Sequence, residues 1–339
     1  MAMAVAGRLS GPEWQRYADP ATDLDVLRLT NPAFASGLTA PSLHQFGRKG
    51  DTLLYWSERF GPRQGFQLDL KTGDSRQITD AATLDPHSLA LSADERSISY
   101  FDRASLMETQ LSNIRPRELY QVPEGAVRTG CAAGFDGTVW FAESSQGVSR
   151  LKRVARAGTT TVLEVPGGID LVLARPRYAQ VLYRTGGALW LVNADGSGPS
   201  LLKTEPGQTG EVVWTQSGRT LLYLHVPDDP KQLITLREND PAAGTDEQLA
   251  RTSQFESVAP NGDGTVFTGA SRSRASSYVL LLLRVTKREL TLCEHHASDP
   301  RQVMPIFSPD SQSVFFASDR HGKAALYRVK IEKFVEATG

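Results

Sequence analysis

The sequence predicts an all-β fold, a seven-bladed β-propeller of four-stranded antiparallel blades, and three observations carry that expectation. An apolar residue, a short turn and an alternating apolar strand recur as one phrase seven times. The closing turn positions 50, 95, 137, 179, 218, 264 and 311 lie 39 to 47 residues apart, which is the spacing of propeller blades. No sustained helical periodicity interrupts the pattern. A pair of β-sandwiches would also be all-β, but it would not generate a near-constant period.

The copies open at Phe46-Gly-Arg-Lys-Gly50, Leu91-Ser-Ala-Asp-Glu95, Gly134-Phe-Asp-Gly137, Arg175-Pro-Arg-Tyr-Ala179, Trp214-Thr-Gln-Ser-Gly218, Pro260-Asn-Gly-Asp-Gly264 and Phe307-Ser-Pro-Asp-Ser311. A second strand rich in β-branched and aromatic residues follows each, as in Thr52-Leu-Leu-Tyr-Trp56 and Ser97-Ile-Ser-Tyr-Phe101. Third strands are legible at Phe66–Leu70, Leu189–Val192, Tyr278–Val285 and Ala325–Val329. Hairpin turns such as Asn193-Ala-Asp-Gly196 supply the positive φ that tight connections need. The seventh copy stops at its third strand. Asp25-Val-Leu-Arg-Leu-Thr30 reads as a fourth strand, so the N-terminal segment is expected to complete the last blade and close the ring. Residues 1–339 thus read as one domain, with about 1–23 as an N-terminal extension.

Composition narrows the function classes. With 37 Lys and Arg against 38 Asp and Glu, the 339-residue chain has no basic field to hold a phosphate backbone, which argues against nucleic acid. The longest apolar run, Val279 to Leu283, is a strand's length and argues against a membrane span. Met1–Gly7 is small and apolar, but Arg8, Glu13 and Arg16 leave no secretory core, so a cytoplasmic setting is expected. Cys131 and Cys293 lie far apart, suggesting neither a disulfide framework nor a zinc site.

Standard catalytic signatures are absent: no nucleophile elbow, phosphate-binding loop, His-Glu-x-x-His or Cys-x-x-Cys. In a propeller, residues at the start of each innermost strand face the central funnel. His44 and His87 precede the Phe46 and Leu91 anchors, and Glu211, Ser257 and Gln302 hold similar places. A polar rim of His44, His87, Glu211, Arg301 and Gln302 follows, although each histidine is equally suited to bonding a neighbouring blade. His295 and His296 adjoin on an extended segment, so their rings diverge and cannot easily share a metal. His321 sits in an exposed hairpin. Asp69, Asp94, Asp136, Asp195, Asp263 and Asp310 recur at turns and read as backbone-bonding scaffold.

Trp14-Gln-Arg-Tyr-Ala-Asp-Pro20 through Pro32, Leu119-Tyr-Gln-Val-Pro-Glu124, Leu189–Ser197, Phe307-Ser-Pro-Asp310 and Ser318-Asp-Arg-His-Gly-Lys-Ala-Ala-Leu-Tyr327 together resemble the oligogalacturonate lyases. The last two phrases are shared with TolB-like propellers. The resemblance implies a seven-bladed propeller, a cytoplasmic setting and pectin-fragment breakdown by β-elimination, with a manganese ion and an arginine holding the enolate-like carboxylate.

The chain departs from that pattern. Where the family has a His-Pro-His pair, it reads Arg301-Gln-Val-Met-Pro-Ile-Phe307; Gln302 stands for the ligand glutamine, and Met304 cannot replace imidazole. A third ligand histidine would fall near Ser257. The family's base histidine falls near Glu211, and its arginine at Ala188, with Arg184 the nearby cation. The expected cofactor is therefore none. The first functional reading is a propeller that binds a uronate or oligosaccharide in its funnel, with metal-dependent lyase activity lost or altered. Arg184 or Arg301 would pair a carboxylate, and Trp56, Trp140, Trp190 or Trp214 either stacks on sugar or packs between blades. An active lyase using Glu211 or His87 as base is the second reading. A propeller whose rim binds a protein partner is the third.

Overall fold

A computed structural model describes residues 7–331 other than 230, 253 and 274, so most of the leader reading over Met1–Gly7 lies outside the described residues. Seven antiparallel sheets follow one another along the chain. Their innermost strands are Ser36–Gly37, Ala90–Leu91, Val127–Ala133, Ile169–Ala174, Gln208–Trp214, Ala259–Pro260 and Ile306–Phe307, which we take as blades 1 to 7. Five blades have four strands; blades 1 and 7 have five.

The extra strands come from the N-terminus. Asp25–Arg28 pairs with Ala325–Lys330, with Val26 opposite Val329, and so supplies the fourth strand of blade 7. Gln15–Ala18 adds a fifth beside it, and Leu9–Ser10 pairs with the outer strand of blade 1. The N-terminal extension therefore lies across the outer edges of two neighbouring blades and covers backbone groups that would otherwise face water unpaired. Glu13 joins the two ends of this crossing: its carboxylate pairs with Arg59 and accepts a hydrogen bond from the Asn31 amide at 2.9 Å.

Alternation along the strands places apolar side chains between blades. Phe101 and Phe141 meet edge to face across blades 2 and 3 with ring centroids 5.2 Å apart, and Phe46 meets Phe315 across blades 1 and 7 at 5.1 Å. Each such ring removes apolar surface worth roughly 2–3 kcal/mol from water. The core is thus a ring of interblade layers around an open axis. Cys131 and Cys293 are buried in these layers as free thiols.

The turn carboxylates behave as read. Asp69, Asp94, Asp136, Asp195, Asp263 and Asp310 each accept a hydrogen bond from a backbone amide two residues on, at 2.8 to 3.2 Å. Bonds from the Thr72 and Lys71 amides hold the Asp69 carboxyl below the usual range, and the bond from the Arg96 amide does the same for Asp94. Six of the seven closing turn positions take left-handed φ, from 59° at Glu95 to 77° at Gly137. In blade 4 the left-handed residue is Arg177 (φ 63°), two before the Ala179 that sequence spacing marks. That turn is packed against the next one: a Cβ on Gly218 would sit 2.0 Å from the Pro176 carbonyl oxygen.

Candidate functional site

The axial channel has an upper mouth, where the inner strands begin, and a lower mouth, where they end. Blades 3, 4 and 5 carry β-bulges at the upper ends of their inner strands, between Thr129 and Ala132, Ile169 and Leu171, and Thr209 and Val212. A bulge leaves an unpaired residue and re-aims its side chain. Asp170 and Glu211 are such residues, so these two rim carboxylates arise from the same local device.

Arg184, near the end of the second strand of blade 4, spans the gap between blades 4 and 5. Its Nε donates to Asp170 Oδ1 at 2.8 Å, and Nη1 donates to the Thr209 carbonyl at 2.9 Å and to Thr209 Oγ1 at 3.2 Å. The row continues around the rim. Arg272 Nη2 lies 2.9 Å from Glu256 Oε2, and Arg301 pairs with Asp299 through two bonds of 3.0 and 2.9 Å. On the far side Arg128 pairs with Asp85 and lies 4.1 Å above the Phe101 ring.

The four rim carboxylates besides Glu211, namely Asp85, Asp170, Glu256 and Asp299, are thus each held by an arginine. Glu211 is different. Among the described residues its half-buried carboxylate forms no ion pair or hydrogen bond. Burial raises its pKa to about 7, with the Glu256 charge adding to the rise and the Arg184 guanidinium opposing it. A carboxylate poised near neutrality beside a cation can exchange a proton with a bound group.

The residues read as a single rim from the sequence separate in the structure. Glu211 and Arg184 come together. Arg301 is exposed, bonded within its own turn, and felt electrostatically by Glu256. Gln302 is exposed beside it, its amide donating to the Asp299 carbonyl at 3.1 Å. His87 is exposed on the blade 2 side, next to the Asp85–Arg128 pair, and its backbone amide donates to Asp85 Oδ1 at 3.0 Å. His44 departs from the expectation: blade 1 carries a long irregular segment before Phe46, and this places His44 in the wall of the lower mouth. His295 is fully buried and His296 is turned to Glu294, so the adjacent rings do diverge. His321 is exposed, with Nδ1 2.9 Å from the Tyr327 hydroxyl.

Sequence reading passed over Asp170, Glu256 and Arg272. The first two had a signal: both stand four residues before the last paired residue of their inner strands, as His87 does before Leu91. Among the tryptophans, Trp140 and Trp214 are buried, Trp190 stacks on Tyr183, and Trp56 lies under the Arg63 guanidinium with its indole N–H donating to the Leu38 carbonyl.

A manganese ion does not fit the upper mouth. Among the described residues no three His, Cys, Asp or Glu side chains converge as ligands. The positions that would carry the other ligands hold the Ser257 hydroxyl, buried without a partner among the described residues, and the thioether of Met304. Arginines flank the carboxylates that remain and oppose a second cation.

Two proteins match the chain along nearly its whole length. The oligogalacturonide lyase of Pectobacterium atrosepticum is 24% identical over 93% of this chain and 95% of its own, and the oligogalacturonate lyase of Dickeya dadantii is 24% identical over 97% and 98%. The chain is similar to these oligogalacturonate lyases along nearly its whole length. The structure of an oligogalacturonate lyase in complex with manganese superposes with a TM-score of 0.91 at 22% identity, covering 98% of this chain and all of that one. The oligogalacturonate lyase of Vibrio parahaemolyticus gives 0.89 at 20% identity over 97% of this chain. The propeller with its N-terminal closure is therefore the fold of those lyases. No family model matches the chain. Among the described residues no helix is long and apolar enough to cross a membrane.

Proposed function

We propose that this oligogalacturonate-lyase-like propeller binds a uronate or short acidic oligosaccharide at its upper mouth, with the metal-dependent lyase activity of its relatives lost. The observation that carries this reading is the Glu211–Arg184 arrangement on a rim otherwise built of arginine–carboxylate pairs. Asp170 is 62% exposed, so it can turn to water and release Arg184 to a uronate carboxylate. Arg272 and Arg301 offer the same exchange further round. A cytoplasmic role on pectin-derived fragments accords with this reading. Isothermal titration with digalacturonate tests it: heat from the wild type that Arg184→Gln abolishes is expected, and no heat with any uronate refutes it.

A second reading is favoured by the raised pKa of Glu211. An elimination needs a base that takes the proton from the carbon α to the uronate carboxylate. The electron pair then forms the new carbon–carbon double bond, and the glycosidic oxygen leaves as an alcohol after taking up a proton from water. Glu211 is suited to the first step and Arg184 to holding the carboxylate. Growth of ultraviolet absorbance from the unsaturated product, in the presence of a chelator and lost in Glu211→Gln, is the expected result of this reading. Absence of product with and without manganese rules it out.

A further inference from the structure

At the lower mouth the ends of six inner strands and Phe46 of blade 1 surround a second cavity, of about 790 Å³. None of Glu211, Arg184, His87, Arg301 and Gln302 lines it. The charges there are one-sided: Arg48, Arg175 and Arg177 face the cavity, and no Asp or Glu is among its described lining residues.

Arg175 is the unusual member. It is only 5% exposed, yet its guanidinium meets neutral oxygens alone: the Gly218 carbonyl at 2.7 Å, Gln180 Oε1 at 2.6 Å and the Arg219 carbonyl at 3.3 Å. The rings of Tyr178 and Trp214 complete its surroundings, 4.0 and 5.0 Å from the guanidinium carbon. Buried charges are ordinarily paired, and here Asp240 acts only from a distance. Arg177 is exposed and has no ion pair among the described residues, whereas Arg48 is shared with Glu95 at 3.4 Å. His44 is solvent-exposed in the wall, and partial loss of hydration lowers the affinity of its imidazole for a proton.

In the remaining wall Phe46, Phe135, Ile306 and Trp214 present carbon surface among neutral polar residues such as Gln45, Gln216 and Asn261. The Trp214 indole N–H is shielded from water and has no acceptor among the described residues. A cavity of this size with carbon surface in its wall and cations at its rim suits a molecule with both an apolar body and a negative group. An inorganic anion would leave that carbon surface unused.

We propose that the lower mouth is a second binding site, for a small organic anion with an apolar body, separate from the upper mouth. The arginines attract and orient the anionic group, and the aromatic wall takes the rest. The probe that tests this is the fluorescent anion 8-anilinonaphthalene-1-sulfonate, with uncharged N-phenyl-1-naphthylamine as its control. The wild type should bind the anion at the folded protein's concentration, with thermal melting unchanged in midpoint or raised. Arg177→Glu and the pair Arg48→Glu with Arg177→Glu should weaken the anion at least about fivefold while moving the uncharged probe by less than about twofold. Both positions are on the surface, and a wild-type melting profile in each variant confirms the fold. Arg184→Gln, at the other mouth, should leave the anion's affinity unchanged.

Failure of the wild type to bind the anion overturns the proposal. Equal weakening of both probes also overturns it, since the cavity would then be apolar only. Loss of the anion in Arg184→Gln overturns it by assigning the anion to the upper mouth. Digalacturonate binding is read separately in the same variants, so its absence bears only on the upper mouth.

Discussion

Glu211 makes a stability prediction whose sign follows from its burial. The carboxyl titrates near 4.5 in the unfolded chain and at about 7 in the folded one. Between those values the folded state keeps a proton that the unfolded state has released. The stability associated with the protonated carboxyl is fully present below about pH 4.5, is lost as pH rises toward 7, and stays lost above. A shift of that size corresponds to roughly 3 kcal/mol, and the partial exposure of the group reduces it to about 1–3 kcal/mol. Glu211→Gln removes the titration while keeping shape and hydrogen-bonding capacity. Urea unfolding of both proteins at about pH 5 and about pH 8 isolates the effect, because every other titrating group cancels in the difference. The variant should gain about 1–3 kcal/mol on the wild type between the two pH values. Arg184→Gln should steepen the wild-type loss, since its cation restrains the rise. A wild-type–variant difference that is flat with pH would show that Glu211 is solvated and would refute the reasoning.

Phe101→Ala should cost about 3–5 kcal/mol in urea unfolding, because a fully buried ring in the blade 2–3 layer is deleted against Phe141. Truncation before Thr30 should lower the melting temperature and promote association measurable by light scattering, since it bares the edges of Ala325–Lys330 and Ser75–Gln77. Gly218→Ala should cost about 2–4 kcal/mol, because φ is 68° and the new methyl would strike the Pro176 carbonyl.

The blades were legible because each carries its own turn and strand chemistry. Asp69 and its counterparts mark turns through bonds to amides two residues away, a purely local device. Ring closure was legible for the same reason, since Asp25–Arg28 resembles a fourth strand in its own residues. The site was less legible. His44 and His87 both precede their anchors, by two and four residues, yet the irregular segment before Phe46 sends His44 to the opposite mouth. Glu211 was found by position, but its proton affinity depends on Arg184 and Glu256, which belong to other blades. No window of one blade's sequence contains those neighbours.

The same division separates what holds the fold from what lines the channel. Stability resides in interblade layers such as those around Phe101, Tyr223 and Phe316, and in the pairing that closes blade 7. The inner strands of blades 1, 2, 6 and 7 contribute short ladders of two residues, although Leu91, Ile306 and Phe307 on them belong to the interblade core. Substitutions of exposed rim side chains such as Arg177 and Arg301 change charge without disturbing packing. A relative with a TM-score of 0.91 and 22% identity is what such a partition produces. It follows that two mouths of one channel can carry unlike chemistry: paired charges with one poised carboxylate above, and arginines without acidic partners in their wall below. Charge reversal at Arg177 and removal of the carboxylate at Glu211 should then act on ligands independently, and each should leave the packed layers intact.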